Sequence, residues 1–383
     1  MNNFEYYNPV RIVFGKGEIA KLKTLIDLKL KVLLVYGGGS IKKNGIYDQV
    51  KSALSDHTVL EFSGIEPNPQ YDTLMKAVEI CRSEKIDFIL AVGGGSVIDG
   101  TKFISAAIHH DEDPWHILTK RQTIKDITPY GCVQTLPATG SEMNSFSVVS
   151  RGSDKLGFGG DPRLFAKFAI LDPEVTFSLP DRQLGNGIVD AFVHVVEQYL
   201  TKNINTPIQD RFSEGILLTL IEESQKVMSS KDYAARANFM WATTQALNGL
   251  IGSGVVHDWA THMIGHEITA LHGIDHARTL ALVLPSLLRT QKESKKEKLL
   301  QFANRVWKIT EGSEDEKIEA AIMKTEEFFN SVNVPTKLRA YDLGEAHIDP
   351  IIKSLRTHIP VNLGENGALD DKKINRILTM SLS

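Results

Sequence analysis

Short apolar runs and helical spacings alternate along the first half of the chain. Lys31-Val32-Leu33-Leu34-Val35-Tyr36 and Phe88-Ile89-Leu90-Ala91-Val92 are nearly continuous apolar runs, patterned for strands buried on both faces. Between them, Leu74, Ala77, Val78 and Cys81 recur at the interval of a helix over 72–84. Further strands are predicted at 130–136 and 168–171. Strand alternating with helix predicts an α/β domain with a doubly wound, parallel, Rossmann-like sheet.

Past Leu179-Pro180 the pattern changes. Helical periodicity dominates 191–200, 208–226, 233–250, 257–271 and 279–288, and no convincing strand follows. A chain of 383 residues exceeds what one core usually organises. It therefore reads as a dinucleotide-binding α/β domain over 1–179 and an all-helical domain over 180–383, with the active site expected in the cleft between them. The charge run 292–298 is expected to form a solvated helix face.

Composition removes several function classes. Lys and Arg number 43 against 47 Asp and Glu, a net charge of -4, which offers no basic footprint for nucleic acid. Cys81 and Cys132 are the only cysteines, so no disulfide framework is expected. No apolar run reaches membrane-spanning length, and residues 1–14 lack a basic region followed by an apolar core. A cytoplasmic protein with no membrane partner is the expectation.

Gly37-Gly38-Gly39-Ser40 and Gly93-Gly94-Gly95-Ser96 follow the two clearest strands. Ligands of open α/β sheets bind beyond the carboxyl ends of strands, where backbone N–H groups free of side chains approach phosphate. One such loop is equally well an ordinary tight turn; two in equivalent positions point to a nucleotide. Neither loop is a Walker motif or a GxGxxG fingerprint, and a hydride-carrying dinucleotide is favoured over ATP. The first loop has no carboxylate for a ribose 2'-hydroxyl. It offers Ser40, Lys42 and Lys43 instead, groups that complement the 2'-phosphate of NADP(H).

Four of the twelve histidines, His262, His266, His272 and His276, fall within fifteen largely apolar residues. Neutral imidazole is the commonest protein ligand of transition metals, and such density is hard to explain as packing. Upstream, Asp190 and His194 are four residues apart, as are His262 and His266. At ~100° per residue each pair shares a helix face and can close on one ion. Gly273 is placed to end the second helix, with His276 returning from the next turn or helix start. One carboxylate with three imidazoles suits a divalent ion, Fe²⁺ or Zn²⁺. His266-Glu267 also opens the zinc-protease motif, but the next histidine comes six residues on, ~240° around the helix, and cannot share the ion.

These segments, together with Leu136-Pro137-Ala138-Thr139-Gly140-Ser141-Glu142-Met143-Asn144, resemble the iron-containing (group III) alcohol dehydrogenases. The likeness is to the NADPH-dependent butanol dehydrogenase and aldehyde reductase branch and spans nearly the whole chain. The resemblance implies ligation by Asp190, His194, His262 and His276, with His266 and His272 near the substrate but outside the coordination set. It implies Gly38 and Ser40 at the 2'-phosphate, in a loop whose Gly37, Gly39 and Lys43 also meet the cofactor, and Gly94, Gly95 and Ser96 at the pyrophosphate. Asn68 belongs on the adenosine side, and Asp99, Thr135, Thr139, Asn144 and Lys155 line the nicotinamide half, Lys155 from a loop over 151–162. Catalytic roles fall to His266, Asp99 and His272. The implied activity is reduction of short- to medium-chain aldehydes by a homodimer. Phe146, Trp241, Leu250, Ile251 and Trp259 suggest an apolar pocket for an unbranched aldehyde, though each reads equally well as core. A dehydroquinate-synthase-like lyase and a metal-dependent hydrolase are the competing readings; the hydrolase leaves the twin glycine loops without a purpose.

Overall fold

The computed structural model describes residues 1–152 and 154–382. Tyr7–Leu179 forms one compact unit, and Pro180–Ser383 together with Met1–Tyr6 forms the other.

The first unit is built on six parallel strands: β1 (Arg11–Phe14), β2 (Lys31–Tyr36), β3 (Thr58–Phe62), β4 (Phe88–Gly94), β5 (Tyr130–Leu136) and β8 (Phe168–Leu171). Their order is β1-β8-β5-β4-β2-β3. The helices of this unit are α1 (Leu22–Leu25), α2 (Ser40–Lys43), α3 (Ile46–Ala53), α4 (Tyr71–Glu84), α5 (Gly95–Ala107) and α6 (His116–Thr119). The central strands are the apolar runs seen in the sequence, and Leu33, Val35, Ile89, Ala91 and Cys132 sit fully buried beneath helix residues such as Leu74, Ile98 and Phe103. The edge strands β1 and β3 have mixed patterns because they are only partly covered. Both thiols, Cys81 and Cys132, are free and buried; burial pushes Cys81 up to about 12 and raises Cys132 as well.

Strand β2 is followed by β3 on one side, and the chain then crosses back to β4 on the other. The direction of winding therefore reverses between β2 and β4, the place where open α/β sheets bind ligands. Tyr36 pairs with Val92 in that register, so the two glycine loops leave the sheet side by side.

One expectation fails in this unit. Residues 154–158 are not loop: β6 (Ser147–Arg151) and β7 (Asp154–Phe158) form an antiparallel ribbon. Leu156 and Phe158, two residues apart, pack against the core, which selects strand over loop.

The second unit contains α7 (Asp181–Tyr199), α8 (Pro207–Ser229), α9 (Tyr233–Ala246), α10 (Ala260–His272), α11 (His276–Thr290), α12 (Lys296–Arg305), α13 (Glu314–Ser331), α14 (Ile348–His358) and α15 (Asp371–Met380). Its core carries an aromatic cluster in which Phe192 of α7 meets Phe302, Trp307, Phe328 and Phe329 at 5.3–6.4 Å between ring centroids. No helix among the described residues is long and apolar enough to cross a membrane.

The charge run 292–298 departs from its expected solvated face. Lys295 and Lys298 are each 3% exposed. Lys295 Nζ reaches Asp258 and Glu365 at 2.8 Å, and Lys298 Nζ reaches Asp210 at 2.5 Å. Buried ammonium groups persist because carboxylates from distant segments pair with them.

Candidate metal centre and dinucleotide loops

Helix α7 carries Asp190 and His194 one turn apart on its buried face, and α10 carries His262 in its first turn. The ligand atoms of these three buried residues lie within 4.8 Å of one another. His194 Nε2 stands 3.1 Å from His262 Nε2, and His194 Nδ1 lies 3.3 Å from Asp190 Oδ1. Gly273 ends α10 in the left-handed conformation at φ 67°, and His276 opens α11 with Nε2 3.8 Å from Asp190 Oδ1. His276 and His266 both lie outside the three-residue convergence; the His266 ring, one turn beyond His262, is 6.1 Å from that of His262 and 5.0 Å from that of His276.

Burial lowers the His194 pKa well below the ordinary imidazole value, and His262 pushes the same way. The imidazole is therefore neutral, the form that ligates. Two imidazoles turned nitrogen to nitrogen beside a buried carboxylate make a donor set fitted to a divalent cation.

Glu197 completes this arrangement and escaped the sequence reading. It lies three residues after His194 and seven after Asp190, on the same α7 face, and is buried. One carboxylate oxygen, Oε2, bonds His262 Nδ1, while Oε1 accepts the N–H groups of Thr261 at 2.6 Å and His262 at 3.4 Å. Burial pushes its carboxyl well up and Asp258 adds to the rise; the Thr261 and His262 N–H groups favour the ionised form, and a cation held by His262 would favour it further. A third member of the 190/194 face, itself acidic, was the available signal.

Of the expected pocket residues, Trp259 stands against the cluster, with its ring 5.4 Å from His262 and 6.2 Å from His194. Ile251 is core, whereas Trp241 is 42% and Phe146 58% exposed. Leu250 is half-buried. His272 closes α10, 5.3 Å from the His347 ring, and burial followed by His347 lowers its pKa. Glu267 turns to Ser354 Oγ at 2.6 Å and His358 Nδ1 at 2.9 Å, so the His-Glu pair does not serve a protease centre.

In the first unit, Gly39 adopts φ 89° and launches α2 at Ser40, with Lys43 exposed beside it. Lys42 instead lies over the Tyr36 and Tyr47 rings at 5.2 and 4.9 Å. The second loop needs glycine for space: a Cβ on Gly95, the first residue of α5, would stand 2.5 Å from Thr139 Oγ1. Gly94 caps α5, with Ser96 behind it in the first turn.

Asp99 accepts Ser141 Oγ at 2.5 Å and Val148 N–H at 3.0 Å. Lys102, which the sequence reading missed, is fully buried one turn later. Its Nζ donates to Ser141 Oγ at 2.8 Å, Asn144 Oδ1 at 3.0 Å and Phe146 O at 2.6 Å, and burial brings its pKa down to about 8. Thr139 and Asn144 thus sit on a segment pinned from below by one ammonium. Thr135 is half-buried near the end of β5, Lys155 lies on β7, and Asn68 occupies a left-handed turn at φ 56°.

Comparison with known proteins matches this architecture throughout. The iron-containing alcohol dehydrogenase model matches residues 9–173, and the C-terminal model of the Fe-containing alcohol dehydrogenase family matches 186–379. The chain is 57% identical over 372 residues to the NADPH-dependent aldehyde reductase YqhD of Escherichia coli, covering 96% of each chain. It is 42% identical to the probable NADH-dependent butanol dehydrogenase 1 of Bacillus subtilis, covering 100% of each. Among solved structures, E. coli YqhD superposes with a TM-score of 0.97 at 54% identity, covering 99% of each chain. The NADH-dependent butanol dehydrogenase A of Thermotoga maritima gives 0.95 at 33% identity, covering 100% of this chain and 99% of the other.

Proposed function

The chain belongs to the iron-containing alcohol dehydrogenase family, and from that membership we propose a metal-dependent, NADPH-linked alcohol dehydrogenase that acts mainly as a reductase of short- to medium-chain aldehydes. The observation that carries the reading is the buried convergence of Asp190, His194 and His262. Asp190, His194, His262 and His276 would hold one divalent ion, Fe²⁺ or Zn²⁺. When bound, the ion supplies electrophilic polarisation of a carbonyl oxygen and the reduced nicotinamide supplies hydride.

The protein's own groups do the rest. One carboxylate among three imidazoles leaves the site net positive, suited to developing negative charge on the substrate oxygen. Water or half-buried His266, one turn beyond His262, supplies the proton, with His272 at the end of the same helix. Gly37, Gly38, Gly39, Ser40 and Lys43 take the adenosine 2'-phosphate, with Asn68 on the adenosine side, and Gly94, Gly95 and Ser96 take the pyrophosphate. Asp99, Thr135, Thr139, Asn144 and Lys155 orient the nicotinamide half. Trp259 contributes an apolar wall, and the assembly is a cytoplasmic homodimer.

A lyase that borrows the dinucleotide would regenerate it in every turnover, and a hydrolase would need none. Protein purified anaerobically is therefore assayed for bound metal and for NADPH oxidation across an aldehyde panel. Metal near one equivalent with net NADPH consumption is expected; metal-loaded protein that fails to oxidise NADPH with any aldehyde of the panel would overturn the reading.

A further inference from the structure

We propose that Glu197 is the positioning residue of the metal centre, holding the His262 ring and the first turn of α10 so that His262 Nε2 faces the ion. The proposal rests on the metal-dependent reading above. Glu197 is 3% exposed, and a carboxyl group in that position must find its partners inside the protein. Both of its oxygens are engaged, one by the His262 ring and one by the backbone at the start of α10.

Helix α10 needs such help. Trp259, which precedes it, is left-handed at φ 60° and provides no side-chain cap. Asp258 takes the N–H of Ala260 at 3.0 Å, and its other oxygen is paired with Lys295 at 2.8 Å. The N–H of Thr261 goes to Glu197.

The same carboxylate sets the ring. A hydrogen on His262 Nδ1 directed at Glu197 leaves the lone pair on Nε2, 3.1 Å from His194 Nε2. Carboxylate–histidine–metal arrangements fix tautomer and ring orientation in this way, and their loss typically weakens metal binding about 10- to 100-fold. Asp190, His194 and Glu197 share one face of α7, so a single rigid helix supplies two ligands and the support of a third.

The test uses the full-length protein, stripped by chelator and titrated with Co²⁺ and with Zn²⁺, alongside Glu197→Gln, Glu197→Asp and His194→Ala. Glu197→Gln keeps the shape of the side chain but places an amide against the ring. It should raise the Co²⁺ dissociation constant about 10- to 100-fold and alter the visible Co²⁺ absorption, while NADPH affinity stays as in the wild type. Glu197→Asp should restore part of the affinity, and decides the question by the same criteria if the Gln variant does not fold. A helix cap with no other role would change the stability of the metal-free protein but neither Co²⁺ affinity nor spectrum. That result overturns the proposal. His194→Ala binding Co²⁺ like the wild type would instead overturn the metal reading itself.

Discussion

His194 and His262 meet nitrogen to nitrogen at 3.1 Å across 68 residues of chain. Neutral imidazoles share at most one hydrogen in that gap, whereas a divalent ion engages both lone pairs. Replacing Asp190, His194, His262 or His276 with Ala should strip most of the bound metal and abolish turnover. His266→Ala should keep the metal and lose rate. Elemental analysis decides, and metal depletion in His266→Ala but not in His276→Ala would refute the ligand set.

Cofactor choice is predicted to lie in the first glycine loop. The wild type should favour NADPH over NADH at least about tenfold in kcat/KM, or ~1.4 kcal/mol. Gly38 is exposed, its backbone is not left-handed and a Cβ there meets nothing, so Gly38→Asp should repel the 2'-phosphate without straining the loop. The same change at Gly39 carries backbone strain at φ 89°. Equal efficiency with both cofactors in the wild type would remove the basis of this assignment.

Two neighbouring lysines should behave oppositely. Lys295→Ala leaves the buried carboxylates of Asp258 and Glu365 without their shared cation, a loss expected to destabilise the protein by about 3–5 kcal/mol. Lys296 pairs with Glu314 in solvent, and Lys296→Ala should hardly change the unfolding transition. Urea unfolding of the two variants side by side checks this; similar midpoints would contradict the buried network.

Asp113 gives an acid-dependent test. Burial alone would raise its carboxyl, but the Tyr71 hydroxyl at 2.5 Å, the Trp115 N–H and the Arg151 guanidinium at 3.1 Å outweigh it and bring the pKa down to about 2. A depressed carboxylate stabilises the fold above its unfolded pKa, and that contribution is lost as pH falls through the folded value. The stability gap between wild type and Asp113→Asn should therefore be constant near neutrality and close as pH falls from about 4 to about 2. A gap that widens on acidification would show that the pairing is absent.

On the proposed reading, substrate preference follows from crowding at the carbonyl carbon that accepts hydride. Butanal should exceed butanone in kcat/KM, because a ketone must accommodate a second carbon substituent. Oxidation of 1-butanol should become measurable only at raised pH, where proton release is easier. Steady-state assays with NADPH or NADP⁺ at pH 7 decide, and faster turnover of butanone would count against the reductase assignment.

The central strands could be read directly because burial on both faces leaves little in β2, β4, β5 and β8 but apolar residues. Strand β7 and the edge strands β1 and β3 could not, because half-covered strands mix polar and apolar positions. Asp190 and His194 were visible as a one-turn pair and His262 and His276 by histidine density. Glu197, Lys102, Lys295 and Lys298 were not. A charged residue on an amphipathic segment reads as solvated until its partner is known, and the carboxylate partners of Lys295 and Lys298 lie 37 to 88 residues away.

The burial of Cys81 and Cys132 bears on endurance. Aldehydes are electrophiles, and the nucleophile they capture fastest on most proteins is a surface thiolate. Here both cysteine sulfurs are at most 2% exposed and held in the thiol form, so a reductase living among its own substrates offers them no surface thiolate. Adduct formation is left to the lysine amines on the solvent face.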